Sequence, residues 1–241
     1  MIGTVDGLLY ALVGLTLVGA PIWSRLRSEE RVAKLAEGDG PTRRRMTLRS
    51  IAIQWTAAAV LGSAWFASGR GLAPLRLASL PEGPVAWGTV AATLAVVGLL
   101  TVSWLRAMRS SAALAHLRST VEPAVLGLMP RTSADFIRFV GLSVTAGLCE
   151  EFVYRGVALA LLTEGLGLWP ALALTTVAFG ASHAYQGPRG MLRTGVVGLV
   201  FAGMVVVTGA LSLAMAVHAW VDIVQGRLLA EAVKAPDEVD D

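Results

Sequence analysis

Charge is what this chain has least of. Asp, Glu, Lys and Arg make up 15% of its 241 residues, against about one quarter in an ordinary soluble domain. That leaves too little polar surface to cover a water-soluble fold. A single cysteine, Cys149, excludes an intramolecular disulfide and leaves the redox compartment open. There is no HExxH zinc motif and no repeated half of the kind that marks many transporters. The first apolar run, Gly7–Trp23, has no basic stretch before it and no small-residue cleavage site after it, so it reads as a retained helix rather than a signal peptide.

What the chain does have is apolar sequence, with a mean hydropathy of +0.64. The apolar runs approach the ~20 residues that a hydrocarbon core about 30 Å thick demands. Seven spans are expected: Gly7–Trp23, Ile51–Ser68, Val85–Leu105, Phe136–Leu162, Leu168–Tyr185, Met191–Val207 and Ala210–Gln225. The fold class is therefore an all-α polytopic membrane protein with about seven transmembrane helices.

The few charges are unevenly placed. The Ser24–Arg49 connection carries eight Lys or Arg residues, Arg43-Arg44-Arg45 among them, and Arg106–Phe136 adds four. Gly69–Pro84 has only Arg70 and Arg76, and Thr163–Gly167 has none. Because cytoplasmic loops hold the excess of positive charge, this alternation predicts an outside N-terminus and an inside C-terminus, with Arg189, Arg227 and Lys234 also inside. A pI near 9.5 is thereby explained without a nucleic-acid partner. The basic connections are expected to meet anionic lipids. Part of Ser24–Arg49, around Glu37-Gly38-Asp39-Gly40-Pro41, reads as a solvated loop, and the acidic end, Pro236–Asp241, as a disordered tail.

Against this background, ionisable residues inside a span stand out, since an insertion scale charges about 2.5–3.5 kcal/mol for Asp, Lys or Arg at a helix centre. The fourth span contains Glu150-Glu151-Phe152-Val153-Tyr154-Arg155. Neighbouring helical residues diverge by about 100°, so the two glutamates face different partners. Glu151 and Arg155 stand four apart with the acid first, the favourable order for an ion pair. Glu150 is left free, and a buried carboxylate with no partner on its own helix suits a general base. The fifth span ends in Phe179-Gly180-Ala181-Ser182-His183, and the seventh holds His218 and Asp222 on one helix face.

Taken singly, each site has an ordinary reading: a structural ion-pair cluster for Glu150, Glu151 and Arg155, and a packed core side chain for His183. Three polar sites on three spans find their readiest relief in contact with one another around a water-filled cavity. His116, in the basic connection, is given no role. A serine-protease arrangement built on Ser182 would need His218 as its base, because adjacent residues point apart, and it leaves Glu150 unexplained.

These segments resemble the motifs EExxxR, FxxxH and HxxxN or HxxxD of the CPBP family, the CAAX prenyl protease and bacteriocin-processing intramembrane proteases also called Abi. The resemblance covers residues 136–226. It divides the chain into an N-terminal transmembrane region (1–135), a catalytic core on the last four spans (136–226) and a cytoplasmic tail (227–241). It implies proteolysis of a membrane-embedded or lipidated peptide, with Glu150 and His183 activating a water and His218 with Asp222 serving the oxyanion. Glu151, Arg155 and Phe179 would be supporting residues. Where the prenyl protease branch has Asn, this chain has Asp222, which is expected to orient His218 rather than donate. A metal-free glutamate mechanism is expected, with a zinc site on Glu150, His183, His218 and Asp222 as the alternative. The expected setting is the bacterial cytoplasmic membrane. The rival readings are a non-catalytic immunity or partner-binding protein and a proton-coupled transporter.

Overall fold

A computed structural model describes residues 4–27, 30, 40–77 and 79–234. The expected acidic tail and most of the Glu37–Pro41 loop lie outside these residues. All regular structure among the described residues is helical. The main helices are α1 (Thr4–Leu26), α2 (Gly40–Ala67), α3 (Gly83–Ala107), α4 (Ser111–Thr120), α5 (Pro123–Leu128), α6 (Ser133–Glu151), α7 (Leu159–Leu166), α8 (Leu168–Ala181), α9 (Gly187–Thr208) and α10 (Leu211–Lys234). A π-helical stretch, Phe152–Ala158, joins α6 to α7 without a break.

The chain is an all-α, multi-pass membrane protein. Five helical segments, Thr4–Leu26, Gly40–Ala67, Gly83–Ala107, Ala184–Thr208 and Leu211–Lys234, are long and apolar enough to cross a bilayer. The other two expected spans take different forms, so the count of seven is approximate. Phe136–Leu162 lies within the rod formed by α6, the π stretch and α7. The expected Leu168–Tyr185 span ends as a helix at Ala181, and at 14 residues α8 is about 21 Å long, short of a full hydrocarbon core. His183 therefore sits on the turn after α8 rather than within it. A second correction concerns Arg43-Arg44-Arg45, which belongs to the opening turns of α2 rather than to a loop. Pro41, with no amide hydrogen to satisfy, is at home at such a helix start.

α6 runs through the centre of the bundle, packed between α2 and α10. Its start is held by a capping box in which Thr132 Oγ1 accepts from the Asp135 amide at 3.1 Å and Asp135 accepts from the Thr132 amide at 3.2 Å. Buried Arg43 reaches across from α2 to Asp135 at 3.4 Å and to the Gly127 carbonyl at 3.1 Å. At the opposite end of the rod, Arg70 joins Asp6 of α1 to Glu164 of α7 at 2.5 and 2.9 Å. Hydrogen bonds to Glu164 and Asp6 hold its guanidinium above the ordinary arginine range. Arg76, the one non-glycine residue with positive φ among those described, donates to the Val205 carbonyl and accepts from the Leu211 amide. It ties its loop to the α9–α10 turn.

Small residues set how closely α10 approaches α6, as is usual where helices pack in lipid. A Cβ on Gly147 would lie 2.6 Å from the Met215 carbonyl oxygen and 2.9 Å from both the backbone nitrogen and Cβ of Ala219. Further along, Gly226 of α10 leaves the space that the Phe139 ring fills. The two helices are in backbone contact one turn before Glu150 and Glu151.

Candidate functional site

Helical divergence sends the two glutamates to different histidines. Glu151 is fully buried. Its Oε1 accepts from Arg155 Nη1 at 3.1 Å and from His218 Nδ1 at 2.9 Å. Its Oε2 has no hydrogen-bond partner among the described residues. The Glu151–Arg155 pair is the one that the i, i+4 spacing predicts. Arg155 also donates from Nη2 to the Gly198 carbonyl at 3.0 Å, and its guanidinium carbon stands 4.0 Å from the centre of the Phe179 ring. Gly198 makes that seat: a Cβ there would lie 2.7 Å from both Nη2 and the ring.

Glu150 turns to the other side, towards the end of α8. Its Oε2 is 3.9 Å from His183 Nε2, and both side chains keep some exposure, 18% and 16%. His183 Nδ1 lies 2.8 Å from the Phe179 carbonyl oxygen. A carbonyl only accepts, so Nδ1 carries hydrogen, and in the neutral ring Nε2 presents its lone pair towards Glu150. Phe179 thus serves the site twice, with its carbonyl under His183 and its ring under Arg155.

His218 Nε2 lies 3.7 Å from Asp222 Oδ2, too long for a direct hydrogen bond. The i, i+4 spacing does place them on one face. The closer partner of His218 is Glu151, which sequence spacing did not reveal because the two are 67 positions apart. A useful signal was the burial demand itself, since a carboxylate this deep needs more than one donor. The π-helical turn had no signal: its composition reads as ordinary helix. It lies where such turns recur, beside functional groups.

Ser182 does not form a nucleophile–histidine pair. Its Oγ donates to the Ala178 carbonyl at 2.8 Å and meets Tyr154 Oη at 2.9 Å, with no hydrogen bond to a histidine among the described residues. His116 lies on α4, where it is exposed and its carbonyl accepts from Ser119 and Thr120. The zinc alternative needs at least three protein ligands around one point. Among the described residues no three His, Cys, Asp or Glu side chains converge in that way. The nearest approaches are pairs, Glu150 with His183 and His218 with Asp222. As arranged, the set does not fit a zinc ion.

No curated protein and no solved structure matched the chain. A family model did, over residues 132–224, which contain α6, the π stretch, α7 to α9 and Glu150, Glu151, Arg155, Phe179, His183, His218 and Asp222. Over that segment the chain is similar to the Rce1-like type II CAAX prenyl endopeptidase family.

Proposed function

We propose that the chain is an intramembrane endopeptidase in which Glu150 and His183 together activate the attacking water. The family supports a membrane endopeptidase. The mechanism rests on one observation, the 3.9 Å separation of Glu150 Oε2 from His183 Nε2. A water about 2.8 Å from each atom would subtend roughly 90° at its oxygen, within reach of both. Glu150 takes the proton as the water oxygen bonds to the substrate carbonyl carbon. It then passes that proton to the amine nitrogen as the peptide bond breaks.

His218 is the proposed oxyanion donor. Its Nδ1 hydrogen is committed to Glu151, so it donates from Nε2 only as a doubly protonated ring. With Arg155, a doubly protonated His218 then offsets two of the three neighbouring carboxylates, Glu150, Glu151 and Asp222. A preorganised donor of this kind contributes about 2.7–4 kcal/mol to transition-state stabilisation.

The proposed substrate is a lipidated or membrane-embedded peptide, presented from the side bearing the basic connections, which we take as cytoplasmic. Anionic lipids are the proposed surroundings of those connections. Comparative proteomics of membranes holding wild-type protein or Glu150→Ala tests the reading. Peptides that change length only with the wild type are expected. Cleavage or a biological phenotype that survives Glu150→Ala would end the protease reading in favour of a binding or immunity role. Zinc retained stoichiometrically by the purified protein and lost on His183→Ala would replace the metal-free mechanism.

A further inference from the structure

Tyr154 is unused by this mechanism, yet it is buried beside the site at 5% exposure. It lies in the π stretch, next to Arg155. Both residues reach α8: Arg155 over the Phe179 ring, and Tyr154 to Ser182. Successive residues in a regular α-helix diverge by about 100° and would not ordinarily share a neighbour so closely. The wider π turn reduces that divergence.

The direction of the Tyr154–Ser182 contact follows from its surroundings. Ser182 has one hydroxyl hydrogen and gives it to the Ala178 carbonyl at 2.8 Å. Its oxygen therefore accepts from the Tyr154 hydroxyl at 2.9 Å. Ser182 is the cap of α8, and His183 follows it directly. The Tyr154 ring also packs edge-on against Phe179, with centroids 5.1 Å apart, and the Phe179 carbonyl holds His183 Nδ1. Tyr154 thus grips the end of α8 at two points, each one step from His183.

We propose that Tyr154 is a positioning residue for His183, acting through Ser182 to fix the separation of His183 from Glu150. This rests on the proposed pairing of Glu150 with His183. The rod of α6, the π stretch and α7 carries both Glu150 and Tyr154, so one rigid element sets both ends of the distance. α8 is too short to cross a hydrocarbon core, and its end is held both by Gly180 packing on the backbone of Met191 and Gly195 and by these side chains.

The test uses purified full-length protein and a quenched fluorescent farnesyl-CAAX peptide as probe, with Tyr154→Phe, Ser182→Ala, Ser182→Thr and the Tyr154→Phe/Ser182→Ala double variant. A displacement approaching 1 Å can lower turnover about 100-fold. Loss of one of two grips should therefore lower kcat roughly 10-fold with KM nearly unchanged. Ser182→Thr, which keeps a hydroxyl, should retain activity. The double variant should be no worse than the poorer single one, because both remove the same bond. Thermal unfolding of Tyr154→Phe should stay close to wild type, separating positioning from general destabilisation. Wild-type kcat in Tyr154→Phe, multiplying losses in the double variant, or Ser182→Thr as impaired as Ser182→Ala would each overturn the proposal. Glu150→Gln runs alongside: if it still cleaves the probe, the water-activation reading fails, whereas an inactive Glu150→Gln beside a fully active Tyr154→Phe removes only the role of Tyr154.

Discussion

Replacing Gly147 by Ala tests the core of the site without touching any ionisable group. The added Cβ would lie 2.6 Å from the Met215 carbonyl oxygen and 2.9 Å from the Ala219 nitrogen and Cβ. Comfortable contacts lie nearer 3.3–3.5 Å, so relief requires a shift of roughly 0.7 Å. Two of the three obstructing atoms are main chain and cannot swing away, so α10 must move as a body. His218 lies between Met215 and Ala219 and moves with them. Its 2.9 Å bond to Glu151 would stretch to about 3.5 Å, beyond useful hydrogen-bond length. Overpacking of this kind typically costs about 1–3 kcal/mol of stability. A displacement approaching 1 Å at a reacting centre lowers turnover by up to about 100-fold. The expected result is a 10- to 100-fold lower kcat on the farnesyl-CAAX probe, with an earlier thermal unfolding transition in detergent. Adding Ala219→Gly removes one obstructing atom and should restore part of the loss. A Gly147→Ala protein with wild-type kcat and unfolding temperature would refute the close α6–α10 contact and, with it, the placing of His218 on Glu151.

Four further outcomes follow from neighbouring contacts. Glu151→Gln leaves Arg155 and His218 facing a neutral amide in a fully buried site, and breaking such a pair costs about 3–5 kcal/mol. Glu150→Gln should barely change stability while abolishing cleavage, and similar unfolding transitions for the two variants would contradict the division of labour. Gly198→Ala should displace the Arg155 guanidinium from its seat and lower both stability and kcat, as read by thermal unfolding and probe cleavage; unaltered values would mean the seat is loose. Asp222→Asn should keep cleavage within about 10-fold, since its 3.7 Å approach to His218 is too long for a direct bond; near-total loss would assign Asp222 an essential charge.

The parts legible in the sequence are those governed by local geometry or by the bilayer. Apolar length revealed the spans because lipid offers backbone groups no partners, which forces each crossing segment into helix. Four-residue spacing revealed the Glu151–Arg155 pair because i and i+4 are neighbours on any helix. The end of α8 escaped notice for a different reason: the expected span runs on through the polar Ser182, His183 and Tyr185, whereas the helix ends at Ala181. Nor could spacing show Glu151 meeting His218, which depends on how deeply α10 settles against Gly147. The Arg43-Arg44-Arg45 cluster looked like a loop because it is charged, but Arg43 is buried against Asp135 and Gly127. A guanidinium with partners on another helix belongs to the packing rather than to the solvent.

The adjacency of Glu150 and Glu151 now has a physical reason. One helix has to supply both histidines with carboxylates, and the histidines arrive on opposite sides, His183 from the end of α8 and His218 from α10. Two consecutive residues about 100° apart meet that demand without a second acidic element in the membrane. Their environments then separate their uses. Glu151 is sealed from solvent, and its Oε1 is taken by two donors, so it has no route to exchange a proton with a substrate. Glu150 retains exposure and stands 3.9 Å from a histidine nitrogen, close enough to share a water and too far to be neutralised by direct contact. These differences support the proposed assignment of Glu150 rather than Glu151 as the general base. Drawing His218 away from Glu151 with Gly147→Ala, with the identities of both glutamates unchanged, should therefore impair catalysis through the Glu151 side of the pair.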